Sequence, residues 1–232
     1  MKIAIMQPTF APWIGQFDLI DYVDKFIFLD TVQYVKREWQ NRNKFKVNGT
    51  EHYFSIPVRN ASRNLLLKDA LIADNFHDKL LKLLEYNYKR SNYFTEIHPT
   101  LMKILTYENK FLSKYNIHII QEISKRMNYQ TEFITLSETN FQTDNKKGLL
   151  IRDICKYFGA SQYISPLGAR DYLHKVQNEF EEIKIFYQSY KHPIYSQVGK
   201  NFISHLSIID LLYNEGFSKG KEIVLKGRNY IS

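Results

Sequence analysis

Lys2-Ile3-Ala4-Ile5-Met6, closed by Gln7-Pro8, is followed by Phe26-Ile27-Phe28-Leu29-Asp30, and the interval between these two runs decides the fold. Each run is short, apolar and ended by residues that halt a strand; proline cannot donate to a ladder. Between them Trp13, Phe17, Ile20 and Val23 recur at helical spacing. A crossover of this length joins parallel neighbours, because an antiparallel pair needs no more than a tight turn. The expected unit is βαβ, and the expected class is α/β, a Rossmann-like parallel sheet with flanking helices. Ligand-binding residues then belong at the carboxyl ends of the strands.

Working outward, Phe45-Lys46-Val47 and Tyr53-Phe54-Ser55-Ile56-Pro57 flank Asn48-Gly49. Asn-Gly suits a type I′ turn, where both central residues need positive φ, so this segment is expected to be a β-hairpin. From about Asp74 to Ser113, the spacing of Leu80, Leu81 and Leu84, then Leu101, Ile104, Leu105 and Leu112, predicts two helices separated near Pro99. With a further helix over 117–127, these form a helical insertion over 74–130 within a single α/β domain, 1–232. Strands are expected at 132–136, 162–164 and 183–187. Helices are expected at 147–158, stopped by Gly159, and at 207–213, ending near Gly216.

At 232 residues the chain is long enough to bury a core without disulfides, and 44% hydrophobic with 24% charged residues excludes disordered and collagen-like classes. There is no apolar run long enough to span a membrane and no signal-peptide core, and the single cysteine suits a reducing compartment. The expected location is the cytoplasm. Cys155 lies on a predicted apolar helix face and is expected to be core. The net charge of +8 is uneven. Residues 34–46 hold Lys36, Arg37, Arg42, Lys44 and Lys46 against Glu38, a concentration that favours a phosphate-bearing ligand. Residues 218–232 hold Lys219, Lys221, Lys226 and Arg228 against Glu222, and are expected to be a solvated tail.

No phosphate-loop, dinucleotide, zinc-protease or serine-hydrolase motif is present, and the seven histidines lack metal-ligand spacing, so no metal is expected. The first loop, Gln7 to Phe17, is stiffened by Pro8 and Pro12, and Gly15 permits close approach. The following helix offers free N–H groups to an anion, so Gln7, Thr9, Trp13 and Gly15 are candidate phosphate and substrate contacts. The second loop interleaves amides, cations and aromatics. Gln33, Arg37, Arg42, Asn43 and Lys44 are candidates there, because forked guanidinium donors suit phosphate and aromatic faces suit a base or sugar. No nucleic-acid-binding motif accompanies them, so a nucleotide-sugar or other phosphorylated small molecule is expected rather than nucleic acid.

Met6-Gln7-Pro8 with Pro12-Trp13 and Gly15, Asp30 with Val32-Gln33-Tyr34 and Lys36, then Trp39, Arg42 and Asn43, resemble the WbqC-like family of bacterial proteins. So do Ser165 with Gly168 and Asp171-Tyr172-Leu173, and then Tyr190, His192-Pro193, Tyr195, Gln197, Phe202, Leu206-Ser207-Ile208 and Asp210-Leu211-Leu212. The blocks fall in order along nearly the whole chain, with a looser match in the middle helices. The resemblance adds Ser165, Gly168, Tyr195 and Gln197 to the candidate binding residues. It implies a place in gene clusters for O-antigen and related surface polysaccharides. Gln16 stands where the family pattern commonly has an aromatic residue. A fold-level likeness to the adenylate-forming nucleotidylyltransferases, pantothenate synthetase among them, is weaker: Trp13-Ile14-Gly15-Gln16 occupies the place of their H-x-G-H sequence without either histidine.

Together these features lead to the expectation of an enzyme that acylates or aminoacylates a nucleotide-linked amino sugar, forming an amide. Asp30 or His192 is the candidate base and Lys36 the candidate catalytic cation. ATP with Mg²⁺ is the cofactor of an adenylate route. The rival expectation is a non-catalytic protein that binds a glycan precursor or a pathway partner. A homo-oligomer stays open.

Overall fold

The computed structural model describes residues 1–73 and 76–232. The strands are β1 (Lys2–Met6), β2 (Lys25–Phe28), β3 (Arg42–Val47), β4 (Thr50–Ser55), β5 (Glu132–Thr135), β6 (Gln162–Pro166), β7 (Lys184–Gln188) and β8 (Tyr230–Ile231). The helices are α1 (Ile14–Tyr22), α2 (His77–Tyr88), α3 (Phe94–Leu105), α4 (Leu112–Arg126), α5 (Lys147–Tyr157), α6 (Arg170–His174) and α7 (Ile208–Lys226).

The sheet order is β5-β2-β1-β6-β7-β8. Every pairing is parallel except that of β7 with β8, which places the expected α/β class on a mostly parallel six-stranded sheet. Strand alternation sorts the core into two layers. Ala4, Phe26, Phe28 and Ile164 face a cluster shared with α1, α3, α4 and α7. Ile3, Ile5, Ile27, Leu29 and Tyr163 face the opposite cluster with Ile151, Ile154 and the buried Cys155 of α5. Period-two alternation is what allows one sheet to bury both faces under helices.

The hairpin β3–β4 forms a separate two-stranded sheet, with Val47 opposite Thr50 and Arg42 opposite Ser55. Asn48 and Gly49 both take positive φ, 50° and 79°, as a type I′ turn requires.

Four expectations need correction, and the proposed start of the helical insertion at Asp74 lies outside the described residues. Pro99 does not separate two helices but sits inside α3; the interruption falls at Lys89–Tyr93, where the Tyr93 N–H turns away to the Tyr213 carbonyl at 3.0 Å. Proline in a helix forfeits a bond at a cost of about 3 kcal/mol, and here Ile97, Leu101, Ile104 and Leu105 are all buried, each worth about 1.5–3 kcal/mol. Helix α4 begins at Leu112, before the expected 117. Gly216 breaks the backbone of α7 at φ 72°, ψ −176°, but helix resumes to Lys226; a Cβ there would meet the Tyr93 ring at 2.8 Å.

The expected solvated tail is tied into the structure. Arg228 donates through Nε to Asp18 at 2.7 Å and through Nη2 to Asp21 at 2.6 Å. Asp18 has no exposed surface and also accepts from Gln188 Nε2 at 3.0 Å and Tyr230 Oη at 2.8 Å. Removing one partner of such a pair leaves a buried charge unpaired. We expect Arg228→Met to cost about 2–3 kcal/mol, toward the low end for buried pairs because the guanidinium is partly exposed. Asp18→Asn/Arg228→Met should recover part of that loss, which urea unfolding of both variants measures.

Candidate functional site

The loop leaving β1 is fixed through its own carbonyl groups. Asn116 Nδ2 donates to the Pro8 carbonyl at 3.1 Å, and Asn43 Nδ2 donates to those of Phe10 and Ala11, each at 2.8 Å. Ser207 Oγ donates to the Ala11 carbonyl at 2.7 Å, and the Ile208 amide to the Pro12 carbonyl at 2.8 Å. The hairpin, α4 and α7 therefore converge on one loop. Ala11 is held there at φ 38°, a conformation that costs about 1–3 kcal/mol and persists where surroundings over-determine it.

Strand β1 is also where the order of the sheet reverses, since β2 lies on one side of it and β6 on the other. Connections leaving in opposite directions open a crevice at the carboxyl ends, the preferred ligand position of such sheets. A cleft of about 500 Å³ occupies that place, lined by Met6 and Gln7, by Pro166 at the end of β6 and Tyr172 beyond it, and by Trp39 and Gln40 from the second loop. A pocket of about 210 Å³ adjoins it, sharing Met6, Thr9 and Trp39 and walled further by Pro12, Trp13, Gln16, Asn43 and His205.

Of the expected residues, Gln7 and Thr9 line the cleft, while Trp13 and Asn43 line the pocket. Gln7 Oε1 accepts from the buried Gln40 Nε2 at 2.7 Å. Gly15 makes room for the indole: a Cβ there would lie 2.3 Å from Trp13 Cη2. Asn43 spends both amide hydrogens on the first loop and its Oδ1 on the Lys44 N–H at 2.7 Å. Beside the cleft, Arg42 lies 4.5 Å over the Tyr53 ring, and Lys44 pairs with Glu51 at 2.8 Å while standing 5.9 Å from the Trp39 ring centre. The hydrogen bond to Glu51 raises the Lys44 pKa. Lys36 and Arg37 are exposed and make no hydrogen bond or ion pair among the described residues; Val35 and Glu38, which bracket them, line the cleft.

Other expected residues fall elsewhere. Gln33 donates to the Arg63 carbonyl at 2.6 Å and faces a separate open groove with Lys146 and Lys147. Ser165 is buried at the end of β6, and Gly168 is exposed just beyond it. The Asp30 carboxylate is buried and accepts from the Ser137 N–H at 3.0 Å and the Ser137 Oγ at 2.5 Å, which ties β2 to the turn after β5. His192 has both ring nitrogens engaged: Nδ1 meets the Pro193 carbonyl at 2.9 Å, and Nε2 accepts the His205 N–H at 3.1 Å. Burial pushes His192 down to about 4, so the ring is neutral at pH 7.

Tyr195 and Gln197 belong to a buried charge cluster that sequence reasoning missed. Asp210, with no exposed surface, accepts from Tyr88 Oη and Tyr195 Oη, each at 2.9 Å. Lys46 Nζ reaches Gln197 Oε1 at 3.3 Å and the Asn201 carbonyl. Gln40 and His205 were missed as well. His205 stacks on Trp13 with ring centres 5.0 Å apart and takes φ 58°. Its signal was available in His205-Leu206-Ser207, a histidine two residues before a helix cap.

The WbqC-like protein family model matches residues 7–222. The chain belongs to this family. A similar protein, the "uncharacterized protein Rv1507c" of Mycobacterium tuberculosis (strain ATCC 25618 / H37Rv), is 31% identical over 223 residues, covering 93% of this chain and 94% of its own length. No solved structure matches. Among the described residues, no helix of this WbqC-like chain is long and apolar enough to cross a membrane, and no group of three or more His, Cys, Asp or Glu could hold a metal ion.

Burial pushes the Asp210 carboxyl up to about 6. Because that lies above its ordinary value, folding favours the protonated form. The contribution is full below about pH 4 and is lost as pH rises through 6. Wild type should therefore gain stability relative to Asp210→Asn as pH falls from 7 to 4, by on the order of 2–3 kcal/mol. His192 titrates with the opposite sign but alike in both proteins, so it cancels from the difference. Urea unfolding across this range checks it, and a pH-independent gap would place the native pKa of Asp210 at its unfolded value.

Proposed function

We propose that this chain is an enzyme of surface-polysaccharide synthesis that transfers an acyl or aminoacyl group to the amine of a nucleotide-linked sugar. The observation that carries this reading is the cleft at the β1/β6 reversal, with Trp39, Tyr163 and Tyr172 in its wall and the exposed Lys36 and Arg37 next in sequence to its lining residues Val35 and Glu38. Family membership supports the polysaccharide setting through the resemblance described above. Lys36 and Arg37 neutralise the diphosphate, and Trp39 offers a stacking face. Gln7, held by Gln40, orients the ligand.

In the reaction the sugar amine attacks the acyl carbonyl; a C–N bond forms as the bond to the leaving group breaks, and the amine gives up a proton. His205 accepts that proton. Its Nδ1 meets Ser204 Oγ at 2.9 Å, its Nε2 makes no hydrogen bond among the described residues, and burial lowers its pKa. The proton then passes to the leaving group. The acyl donor is a thioester or a mixed anhydride. If the anhydride is an adenylate, ATP with Mg²⁺ enters the same cleft, where Glu38 is the carboxylate among the described lining residues.

A nucleotide-sugar at one hundred times its Kd should raise the melting temperature by about 5–10 °C. Lys36→Ala/Arg37→Ala should remove most of the shift and leave the ligand-free value unchanged, because both side chains are exposed and make no hydrogen bond or ion pair among the described residues. Unchanged melting curves across a panel of nucleotides and nucleotide-sugars would defeat the reading. Product analysis separates the donor types: amide formation with release of AMP and pyrophosphate marks the adenylate route, and amide formation from a thioester alone excludes it.

A further inference from the structure

A further recess, of about 270 Å³, lies at the turn of the hairpin. Three segments enclose it: Asn48-Gly49 of the turn, residues 86–90 at the end of α2, and Val198-Gly199 of the segment before α7. Its wall carries three cations, Lys46, Lys89 and Arg90, and no carboxylate among the described residues. The acids nearest in sequence stand aside: Glu51 pairs with Lys44 at 2.8 Å, and Glu85, one turn before Lys89, is not part of the wall.

Hydrogen bonds within the protein hold the recess in shape. The Asn48 N–H donates to Asn87 Oδ1 at 3.2 Å and Asn87 Nδ2 donates to the Leu83 carbonyl at 2.7 Å, which pins the turn to α2. Gln197 closes the third segment on itself, donating through Nε2 to the Ile203 carbonyl at 2.8 Å and accepting the Ile203 N–H at 2.9 Å. Gly199 passes beside the ammonium of the buried Lys46, which is bonded to Gln197 Oε1 and the Asn201 carbonyl. Asp210 acts on Lys46 through space and offsets part of its charge. Lys89 and Arg90 are placed differently. Both side chains are exposed and neither makes a hydrogen bond or ion pair among the described residues; the Lys89 ammonium stands 5.8 Å from the centre of the Tyr86 ring.

Cations that converge on a concave surface raise the local potential, and a bound anion relieves their repulsion. A guanidinium presents a planar fork of N–H donors and an ammonium a compact point charge, a combination that meets the several oxygens of a phosphoryl group from more than one side. Complementing the α2 macrodipole leaves the donors of both side chains open to a ligand. A frame already fixed by its own hydrogen bonds has little ordering left to undergo on binding. We propose that this recess is an anion site that takes a diphosphate group, with Lys89 and Arg90 meeting its oxygens and Lys46 adding to the field. The site does not rest on the acyl-transfer reading. Arg42, beside the cleft, and Val47, before the turn, stand at opposite ends of β3, about 17 Å apart at the rise of an extended strand. Free pyrophosphate and the diphosphate of a nucleotide present the same chemistry, so both are probes.

The chain has nine glycines, and their amides report the position of a ligand: Gly49 and Gly199 line the recess, while Gly168 lies between the cleft residues Pro166 and Ala169. In nitrogen–proton correlation spectra of glycine-labelled protein, without divalent cations, pyrophosphate should shift Gly49 and Gly199 saturably. Its Kd should fall below about 1 mM at about 0.1 M salt, at least tenfold tighter than that of sulfate. Lys89→Gln/Arg90→Gln should weaken this binding at least tenfold and each single substitution at least threefold, while Lys36→Ala/Arg37→Ala leaves it unchanged. Because both side chains are exposed, the double variant should melt within about 2 °C of wild type. ADP titrated alongside names the source, a nucleotide if it binds more tightly than pyrophosphate and free diphosphate if it does not; either supports the site. No saturable shift at Gly49 and Gly199, equal affinity for sulfate, or an unaltered titration in the double variant overturns the proposal. A single-stranded oligonucleotide that shifts the same amides at lower concentration than pyrophosphate also overturns it, by making the recess part of a nucleic-acid surface. A response confined to Gly168 supports the cleft and defeats this site; one confined to Gly49 and Gly199 supports this site and defeats diphosphate binding in the cleft.

Discussion

The carbonyl groups of the loop after β1 are the constraint on which the rest depends. A buried carbonyl without a donor costs free energy comparable to a lost hydrogen bond, so each must be met by something. The donors come from positions far apart in sequence: Asn43 in the hairpin, Asn116 in α4, and Ser207 and Ile208 at the start of α7. None of these elements can shift without orphaning part of the loop. The helical region is thereby bound to the floor of the cleft, and the left-handed Ala11 is sustained by the bonds on either side of it.

Two buried carboxylates then fasten the periphery, by different electrostatics. Asp18 is paired with the Arg228 guanidinium and two further donors, so its charge is compensated where it sits. Asp210 is met by two tyrosine hydroxyls, with the Lys46 ammonium acting on it through space. Neutral donors lower the cost of the anion less than an adjacent cation does, and its pKa rises accordingly. The first arrangement secures the C-terminal strand to α1; the second joins α2, the hairpin and α7.

The sheet was legible because its signals are local. Apolar runs halted by Gln7-Pro8 and Asp30, and the Asn48-Gly49 turn, declare themselves within a few residues. Pro99 misled because the local penalty for proline was outweighed by burial, which depends on partners outside the helix. The basic C-terminal stretch misled for a similar reason: the partners of Arg228 lie some two hundred residues away. At the site, composition marked the two loops that line the cleft but could not tell which of their side chains the frame itself engages. Asp30 and His192 have the right chemistry, and which atoms they meet is decided by Ser137 and His205, whose proximity belongs to the tertiary fold.

Hydrogen-bond capacity makes that separation. Asn43, Asp30 and His192 are saturated by the protein, so their chemistry is spent on holding the frame. Gln16 keeps one end of its buried amide unpaired and His205 an unbonded nitrogen, and Lys36 and Arg37 carry charge without a counter-ion among the described residues. These unspent groups are not scattered: Gln16 and His205 line the smaller pocket, and Lys36 and Arg37 rise between two residues that line the cleft. The topological rule favours the carboxyl end of β1 for a ligand, and there the cleft and the smaller pocket share Met6, Thr9 and Trp39.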